Sequence, residues 1–219
     1  MSCNTGLNTK LSARLLAVAQ EIRTDTHLDI GSDHAKLPRY LLETARAKKV
    51  IVVEKYQEPF ARAQAALKGY PADVRLGDGL KAVKQGEFES LSISGMGAAT
   101  ILKILTPEKL PSILVLQAND RPEILRTWAL EHGYKLTNET MVSGFWPYII
   151  LRFEPGQEAA YEGLEPDLAL HFGPLLLKQK NELLRAELEK QALYYGRRLS
   201  KPWAVNRLDL IRRALDYYD

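Results

Sequence analysis

The feature that most constrains this chain is a regular alternation of short β-branched runs with segments in which apolar residues recur at helical spacing. Strands and helices that alternate in this way require right-handed crossovers and a parallel sheet with helices on both faces. The sequence therefore predicts a doubly wound α/β fold that begins with an amphipathic helix at 11–22. The predicted strands are 27–30, 50–53, 73–76, 91–93 and 113–116, and the helices between them are 37–48, 58–68, 98–105 and 122–131.

The pattern changes after the fifth unit. Residues 134–142 and 148–153 have the periodicity of strands, and the short segment between them cannot hold a crossover helix, so an antiparallel hairpin is predicted at the end of the sheet. A linker punctuated by glycine and proline follows, and two leucine-patterned helices, 175–195 and 205–218, predict a helical hairpin. We therefore expect a domain at 1–155 and a helical region at 156–219.

Composition limits the compartment and the kind of site. Cys3 is the single cysteine, which excludes a disulfide framework and a cysteine-built zinc site and fits a reducing compartment. No apolar run approaches membrane-spanning length, and the start of the chain does not resemble a signal sequence. We expect a cytoplasmic protein without a metal site or membrane contact. The residues do not determine the oligomeric state, and a monomer is the simpler expectation.

Candidate ligand-binding residues follow the predicted strands, because open parallel sheets bind ligands at the carboxyl ends of their strands. Asp29, Gly31 and Asp33 surround the first turn, and the glycine-rich dinucleotide fingerprint is absent there. A tight turn in which Asp33 caps a helix is the alternative. Glu54 ends the second strand, where a carboxylate can hold a ribose diol, and Asp78 follows the third, where it can accept from an adenine amine. Taken alone, a residue in the position of Glu54 is more often just a surface glutamate, and Asp78 is an ordinary aspartate turn.

Two further loops complete a recognisable order. Gly95-Met96-Gly97 follows the fourth strand and a polar cluster at 117–120 follows the fifth, and this order, with the terminal hairpin, is typical of class I S-adenosylmethionine-dependent methyltransferases. Within that class the chain resembles the bacterial TrmK family, the tRNA (adenine 22, N1)-methyltransferases. The resemblance is carried by Leu-Ser-Ala-Arg-Leu at 11–15, Asp-Ile-Gly-Ser-Asp-His-Ala at 29–35, Arg-Leu-Gly-Asp-Gly-Leu at 75–80, Gly-Met-Gly at 95–97, Leu-Gln at 116–117 with Asn119, and Phe-Gly-Pro-Leu at 172–175.

The resemblance implies a Rossmann-like class I methyltransferase sheet, S-adenosyl-L-methionine as the cofactor and tRNA as the substrate. Positive charge develops on the adenine when N1 is alkylated, so a carboxylate near the exocyclic amine would stabilise the transition state. We expect Asp33 in this role, with Asp29 as the alternative acid and Asn119 at the base edge. His34 is expected beside the cofactor, and a structural role in the turn is the alternative for this residue. The expected cofactor-binding residues are Asp29, Gly31, Ser32, Asp33, His34, Glu54, Lys55, Asp78, Gly79, Gly95, Met96 and Gly97.

The chain departs from the family pattern at three positions. Lys36 stands where tyrosine is usual, Ala98 where a further glycine is usual, and Ala118 where proline is usual. Because the last two lie in loops near the expected cofactor and base, two other functions stay open. One is a class I methyltransferase acting on another RNA position or on a small molecule, and the other is a catalytically weak RNA-binding homologue.

An RNA partner leaves a trace in the charge distribution. The chain has 30 Lys and Arg against 27 Asp and Glu, a net charge of +3. Residues 178–213 hold ten basic and four acidic residues, so this segment carries +6 and the rest of the chain −3. A basic helical hairpin with interleaved aromatic residues suits an RNA backbone, and a solvated helix face is the alternative. The expected RNA-binding residues are Arg14, Arg197, Arg198, Lys201 and Arg207.

Overall fold

The computed structural model describes residues 9–105 and 110–219, and Cys3 lies outside these ranges. Within them, no helix is long and apolar enough to cross a bilayer. The strands are β1 Thr24–Ile30, β2 Ala47–Glu54, β3 Ala72–Leu76, β4 Ser90–Met96, β5 Ile113–Ala118, β6 Tyr134–Val142 and β7 Tyr148–Pro155. The α-helices are α1 Ala13–Gln20, α2 Lys36–Glu43, α3 Gln57–Ala66, α4 Ala98–Ile104, α5 Pro122–Glu131, α6 Pro166–Phe172, α7 Pro174–Lys178, α8 Glu182–Gly196 and α9 Pro202–Leu215. Short 3-10 helices lie at Gly79–Ala82 and Asp216–Tyr218.

The seven strands form one sheet in the order β3-β2-β1-β4-β5-β7-β6. The first five strands are parallel, and β7 is antiparallel to both of its neighbours. The predicted α/β class and the terminal hairpin are therefore confirmed. Apolar side chains on the two faces of the sheet belong to two separate buried clusters, as helices on both faces require. The strand order reverses between β1 and β4, which opens a crevice above the carboxyl ends of these strands.

The second predicted helix is shorter in the structure than the pattern at 37–48 indicates. α2 ends at Glu43, and Ala45 has a φ of 51°, in the left-handed region that interrupts a right-handed helix. Ala47 already pairs with Thr24 in the sheet. The prediction of helix for residues 47 and 48 is therefore wrong. The sequence carries no sign of the strand here, because Ala47 and Lys48 are not β-branched.

The prediction of a single long helix at 175–195 is wrong, although the prediction of a helical hairpin is confirmed. α7 ends at Lys178, and Lys180 has a φ of 49°, which no α-helix continues through. Asn181 then caps α8, because its side-chain oxygen accepts from the Leu184 N–H at 3.1 Å. The preceding linker contains the unpredicted helix α6. Its boundary residues, Pro166 at the first position and Gly173 after the last, are those that start and stop helices.

A buried ion pair fixes α6 and α7 to the sheet. Arg126 of α5 donates two hydrogen bonds to the Glu139 carboxylate of β6, at 2.8 and 2.6 Å, and both side chains are fully buried. The third guanidinium nitrogen of Arg126 donates to the Leu170 carbonyl at 2.6 Å, and the second Glu139 oxygen accepts from the Leu176 N–H at 3.3 Å. A Cβ at Gly173 would lie 2.4 Å from that carboxylate, so the Phe-Gly-Pro segment is glycine at this position because only glycine leaves room for the ion pair.

Candidate active site

Two cavities open at the carboxyl edge of the sheet and meet at Gly31. The first, of about 480 Å³, lies over the ends of β1, β2 and β3 and beside α4. It combines apolar walls with the carboxylates of Glu54 and Asp78. The second, of about 360 Å³, lies on the side of α1 and α2 and is lined by Arg14, Leu15, Asp29, Ser32, Asp33, His34, Lys36, Leu37, Ser94 and Gly95. Most of the expected cofactor-binding and catalytic residues are thus divided between two adjoining spaces, whereas Gly97 and Asn119 line neither.

Gly31 is the one described residue that lines both cavities, and its geometry disfavours any side chain. Its φ is 75°, a conformation that L-residues rarely adopt. A Cβ at this position would lie 2.2 Å from the terminal methyl group of Met96. The first turn and the Gly95-Met96-Gly97 loop therefore approach each other closely at the boundary between the two cavities.

The acidic residues of the first cavity differ sharply in exposure. Glu54 is only 5% exposed and accepts from the Asp33 N–H at 2.6 Å, so it is not a surface glutamate. Burial raises the pKa of Glu54, and the hydrogen bond from Asp33 partly counters this effect. Asp78 is half exposed and pairs with Lys55 at 3.0 Å and Lys81 at 3.1 Å, contacts that lower its pKa. Gly79 follows it in a 3-10 helix that closes the cavity.

Asp29 lies at the end of a buried chain of polar side chains. Its carboxylate accepts from the Ser32 hydroxyl at 2.6 Å and from the Ser92 hydroxyl at 2.5 Å. Behind it, His27 contacts Ser92 through Nε2 at 2.8 Å and Ser90 through Nδ1 at 2.7 Å. The parallel register pairs His27 with Ser90 and Asp29 with Ser92, which places all four side chains on one face of the sheet.

This chain of hydrogen bonds determines the tautomer of His27. The Ser92 hydroxyl gives its only proton to Asp29, so it can only accept from the His27 Nε2–H, and Nδ1 must then accept from Ser90. Complete burial lowers the pKa of His27 to about 3, and the ring is neutral at pH 7. Burial raises the pKa of Asp29, opposed by the two serine hydroxyls and the Arg14 charge.

Asp33 occupies the rim of the second cavity. Its φ of 51° turns the backbone so that its N–H faces Glu54, and its carboxylate is 56% exposed. Arg62 of α3 donates to this carboxylate at 2.6 and 3.1 Å, and the exposed His34 ring lies 3.5 Å away. The alternative in which Asp33 caps a helix is wrong, because Ala35 is the N-cap of α2 and no side chain bonds the helix start.

Asn119 and the buried Gln117 hold the loop after β4. Asn119 donates to the Gly95 carbonyl at 2.7 Å, and Gln117 accepts from the Gly95 N–H at 3.0 Å. The same Gln117 oxygen accepts from Arg14 at 2.8 Å, and the Arg14 guanidinium lies over the Tyr148 ring at 5.7 Å. Partial burial lowers the pKa of Arg14. Arg14 therefore belongs to the cavity wall and not to the helical hairpin with the other expected RNA-binding residues.

The positions that depart from the family pattern have separate environments. Ala98 and Ala118 are buried and pack within the cluster on one face of the sheet, and the Ala98 N–H donates to the Asp120 carboxylate at 2.7 Å. Lys36 is exposed at the rim of the second cavity. The methyl groups of the two alanines therefore fill the core and line neither cavity.

The expected RNA-binding residues of the hairpin differ in exposure: Arg197 and Lys201 are exposed, and Arg198 and Arg207 are partly buried against aromatic rings. The Arg198 guanidinium stacks on the Tyr194 ring at 3.7 Å and donates to the Tyr194 carbonyl. Arg207 lies over the Phe172 ring at 5.0 Å, and Arg197 and Lys201 are located at the turn between α8 and α9.

Comparisons with known proteins agree with this geometry. The family model for tRNA (adenine(22)-N(1))-methyltransferase, TrmK, matches residues 27–209. A curated Bacillus subtilis (strain 168) tRNA (adenine(22)-N(1))-methyltransferase is 37% identical over 183 residues, which cover 78% of this chain and 77% of that protein. The chain belongs to the TrmK family.

Solved structures of TrmK relatives support the fold and the cofactor. The M. capricolum TrmK structure, bound to the cofactor product S-adenosylhomocysteine, superposes with a TM-score of 0.84 at 28% identity over 95% of this chain and 99% of that one. A Streptococcus pneumoniae structure bound to S-adenosyl-L-methionine gives 0.82 at 29% identity over 94% and 100%. The family, the fold class and the cofactor expected from the sequence are confirmed.

Several residues of this TrmK-family site were not predicted from the sequence. They are His27, Arg62, Ser90, Ser92 and Tyr148. A signal existed for three of them, because His27-x-Asp29 and Ser90-x-Ser92 place polar residues at strand spacing inside two otherwise apolar strands. Arg62 and Tyr148 carry no local signal, since their roles arise only from the packing of α3 and β7.

His27 makes the stability of the protein sensitive to acid. Its pKa is about 3 when folded and 6.5 as an ordinary histidine, so the unfolded chain binds one more proton between these values and stability falls as the pH drops below 6.5. Between pH 7 and pH 5 the wild-type protein should lose about 2 kcal/mol more unfolding free energy than His27→Gln, which cannot titrate. Urea denaturation at the two pH values measures this loss. His171→Gln, at an exposed position, is the control, and an equal loss in wild type and His27→Gln would contradict the assignment.

Proposed function

We propose that this protein transfers the methyl group of S-adenosyl-L-methionine to N1 of adenine 22 in tRNA. The observation that carries the proposal is the pair of cavities that meet at Gly31 in a chain of the TrmK family. The first cavity, with apolar walls and the carboxylates of Glu54 and Asp78, is large enough for an adenosine group, and the second holds Asp29, Asp33 and Arg14. The tRNA substrate and the single cysteine favour a cytoplasmic location, and we propose that the protein acts as a monomer.

The residues of the first cavity fit the cofactor. Glu54 is buried with one carboxylate oxygen held by the Asp33 N–H, so the other can accept from a ribose hydroxyl. Asp78 lies at the cavity mouth, and each of its carboxylate oxygens pairs with one lysine, Lys55 or Lys81. Each oxygen keeps a further lone pair that can accept from the adenine amine. On the other side of Gly31, Asp29 supplies negative charge for the amino-acid part of the ligand. His34, Ser32 and the Gly95-Met96-Gly97 loop complete the proposed contacts.

Methyl transfer to adenine N1 requires positioning more than a strong base. The cofactor supplies a methyl group bonded to a positively charged sulfur, and N1 offers its own lone pair. The adenine becomes cationic as the new bond forms, and the carboxylate of Asp33 stabilises that charge and accepts a proton from the exocyclic amine. Asp29 is the alternative acid. The exposed amide of Asn119 keeps one N–H and an oxygen lone pair beyond its loop contacts, and these bond the base edge.

We propose a division of labour between residues 1–155, which carry methyl transfer, and residues 156–219, which bind tRNA. The hairpin of α8 and α9 extends beyond the buried ion pair that attaches α6 and α7, and it carries most of the excess basic charge. Arg197 and Lys201, with Arg198 and Arg207 stacked on aromatic rings, suit contact with a phosphate backbone. Arg14 would contact the RNA at the cavity.

The role of Asp33 predicts a turnover defect without a binding defect. Asp33→Asn should lower kcat for methyl transfer to tRNA by about 100-fold, because it removes the negative charge but keeps the size of the side chain. The Kd for S-adenosylhomocysteine should stay within about threefold, as for an exposed rim residue. Glu58→Gln is the matched control, since Glu58 pairs with the same Arg62 outside the cavities. Wild-type turnover in Asp33→Asn together with a turnover defect in Asp29→Asn would assign the role to Asp29.

The role of the hairpin predicts a change in the salt dependence of tRNA binding. The triple variant Arg197→Ala, Arg198→Ala, Lys201→Ala should weaken tRNA binding and reduce the slope of log Kd against log salt by about one for each phosphate that is no longer neutralised. Its affinity for S-adenosylhomocysteine should not change. The matched control removes three exposed lysines at the opposite edge of the sheet, at Lys48, Lys49 and Lys68. Equal salt slopes in the two triple variants would refute hairpin binding.

A further inference from the structure

The loop between β6 and β7 lies at the same edge of the sheet as the two cavities. β6 and β5 are each antiparallel to β7, so both end at the edge where Asn119 follows β5. The hairpin closes between Val142 and Tyr148, which leaves residues 143–147 projecting beyond the sheet. The loop is thus placed beside the site by the topology of the sheet alone.

A series of contacts connects this loop to the second cavity. Gly144 packs against Tyr148 so closely that a Cβ would lie 2.2 Å from its ring. The Tyr148 ring contacts the Arg14 guanidinium at 5.7 Å, and Arg14 lines the cavity with Asp29. Tyr148 therefore lies between the base of the loop and Arg14, which forms part of the cavity wall.

The tip of the loop presents two aromatic rings to solvent. Phe145 is 90% exposed and Trp146 is 50% exposed, and their ring centroids lie 4.8 Å apart at an interplanar angle of 81°. Scattered apolar residues on a surface need no explanation, but two adjacent large rings at the rim of a site do. Aromatic side chains in such positions stack on nucleobases, whose flat faces all accept a ring.

The base of the loop lies against the basic helical hairpin. Pro147 lines a groove of about 300 Å³ whose charged residues are Arg121 and Arg207 with Glu123 and Glu187. An adjoining groove holds Pro147 and the ion pair of Lys190 with Glu187 at 3.5 Å. The grooves are therefore balanced in charge, and the excess positive charge belongs to the hairpin as a whole, whose residues 178–213 carry +6. An aromatic pair beside such a surface is complementary to a nucleic acid strand, whose bases alternate with phosphates.

We propose that Phe145 and Trp146 form a stacking platform for an unpaired nucleobase of the tRNA, next to the adenine that enters the second cavity. The platform rests on the proposed function. N1 lies on the pairing edge of adenine, so the target must leave any base pair before it reacts, and this opening exposes the faces of neighbouring bases. Stacking on the platform offsets the cost of unstacking and places the strand between the cavity and the hairpin.

The experiment compares full-length variants that keep or remove the aromatic faces. Phe145→Leu with Trp146→Leu should weaken the Kd for tRNA at least tenfold, equivalent to about 1.4 kcal/mol, and lower kcat/KM for tRNA in parallel. Trp146→Phe, which retains a ring, should stay within about threefold of wild type. The Kd for S-adenosylhomocysteine should be unchanged in every variant, which shows that the sheet and the first cavity are intact. Leu130→Ala, an exposed apolar position on α5 away from the loop, is the control.

Two results would overturn the platform. One is wild-type tRNA affinity in the double leucine variant, and the other is a wild-type dimer that becomes monomeric in that variant, which would make the rings a contact between copies of the chain. Sedimentation of each protein without tRNA tests the second. If the wild-type protein itself transfers no methyl group to tRNA, the failure lies in the proposed function, since that result does not depend on the loop.

Discussion

The reversal of strand order between β1 and β4 is the constraint on which the rest of the site depends. The chain leaves these neighbouring strands in opposite directions, so no connection covers their carboxyl ends and a crevice remains. Gly31 and Met96 approach each other across this crevice and divide it into two cavities. The carboxylates of the two cavities come from strand ends and turns at this edge, which is why residues far apart in the chain lie close together.

A second constraint joins the catalytic sheet to the helical hairpin. The Arg126–Glu139 ion pair is buried, and each of its members also bonds the backbone of α6 or α7. Because an unpaired buried charge is costly, this arrangement favours one position of the helices on the sheet. The basic surface of α8 and α9 is thereby held at a fixed place relative to the cavities and to the Phe145–Trp146 loop.

Much of the fold could be predicted from the sequence because its signals are local. The strand and helix periods indicate the parallel sheet, and the short 143–147 segment indicates the hairpin. Asp29, Glu54 and Asp78 each lie within two residues of the end of a strand. The rest depends on tertiary context. The break before α8 arises from one left-handed residue, Lys180, and the contacts of Arg62 and Tyr148 arise from elements that meet only in the folded chain.

The central claim is that the crevice presents N1 of adenine 22 to the methyl donor. The most direct test is primer extension on an unmodified tRNA transcript after incubation with the protein and S-adenosyl-L-methionine, because a methyl group on N1 blocks pairing. The structure predicts arrest of reverse transcription immediately before adenine 22, and no arrest on a transcript with guanine at that position. Arrest at a different adenine, or full-length extension with active cofactor binding, would contradict the account.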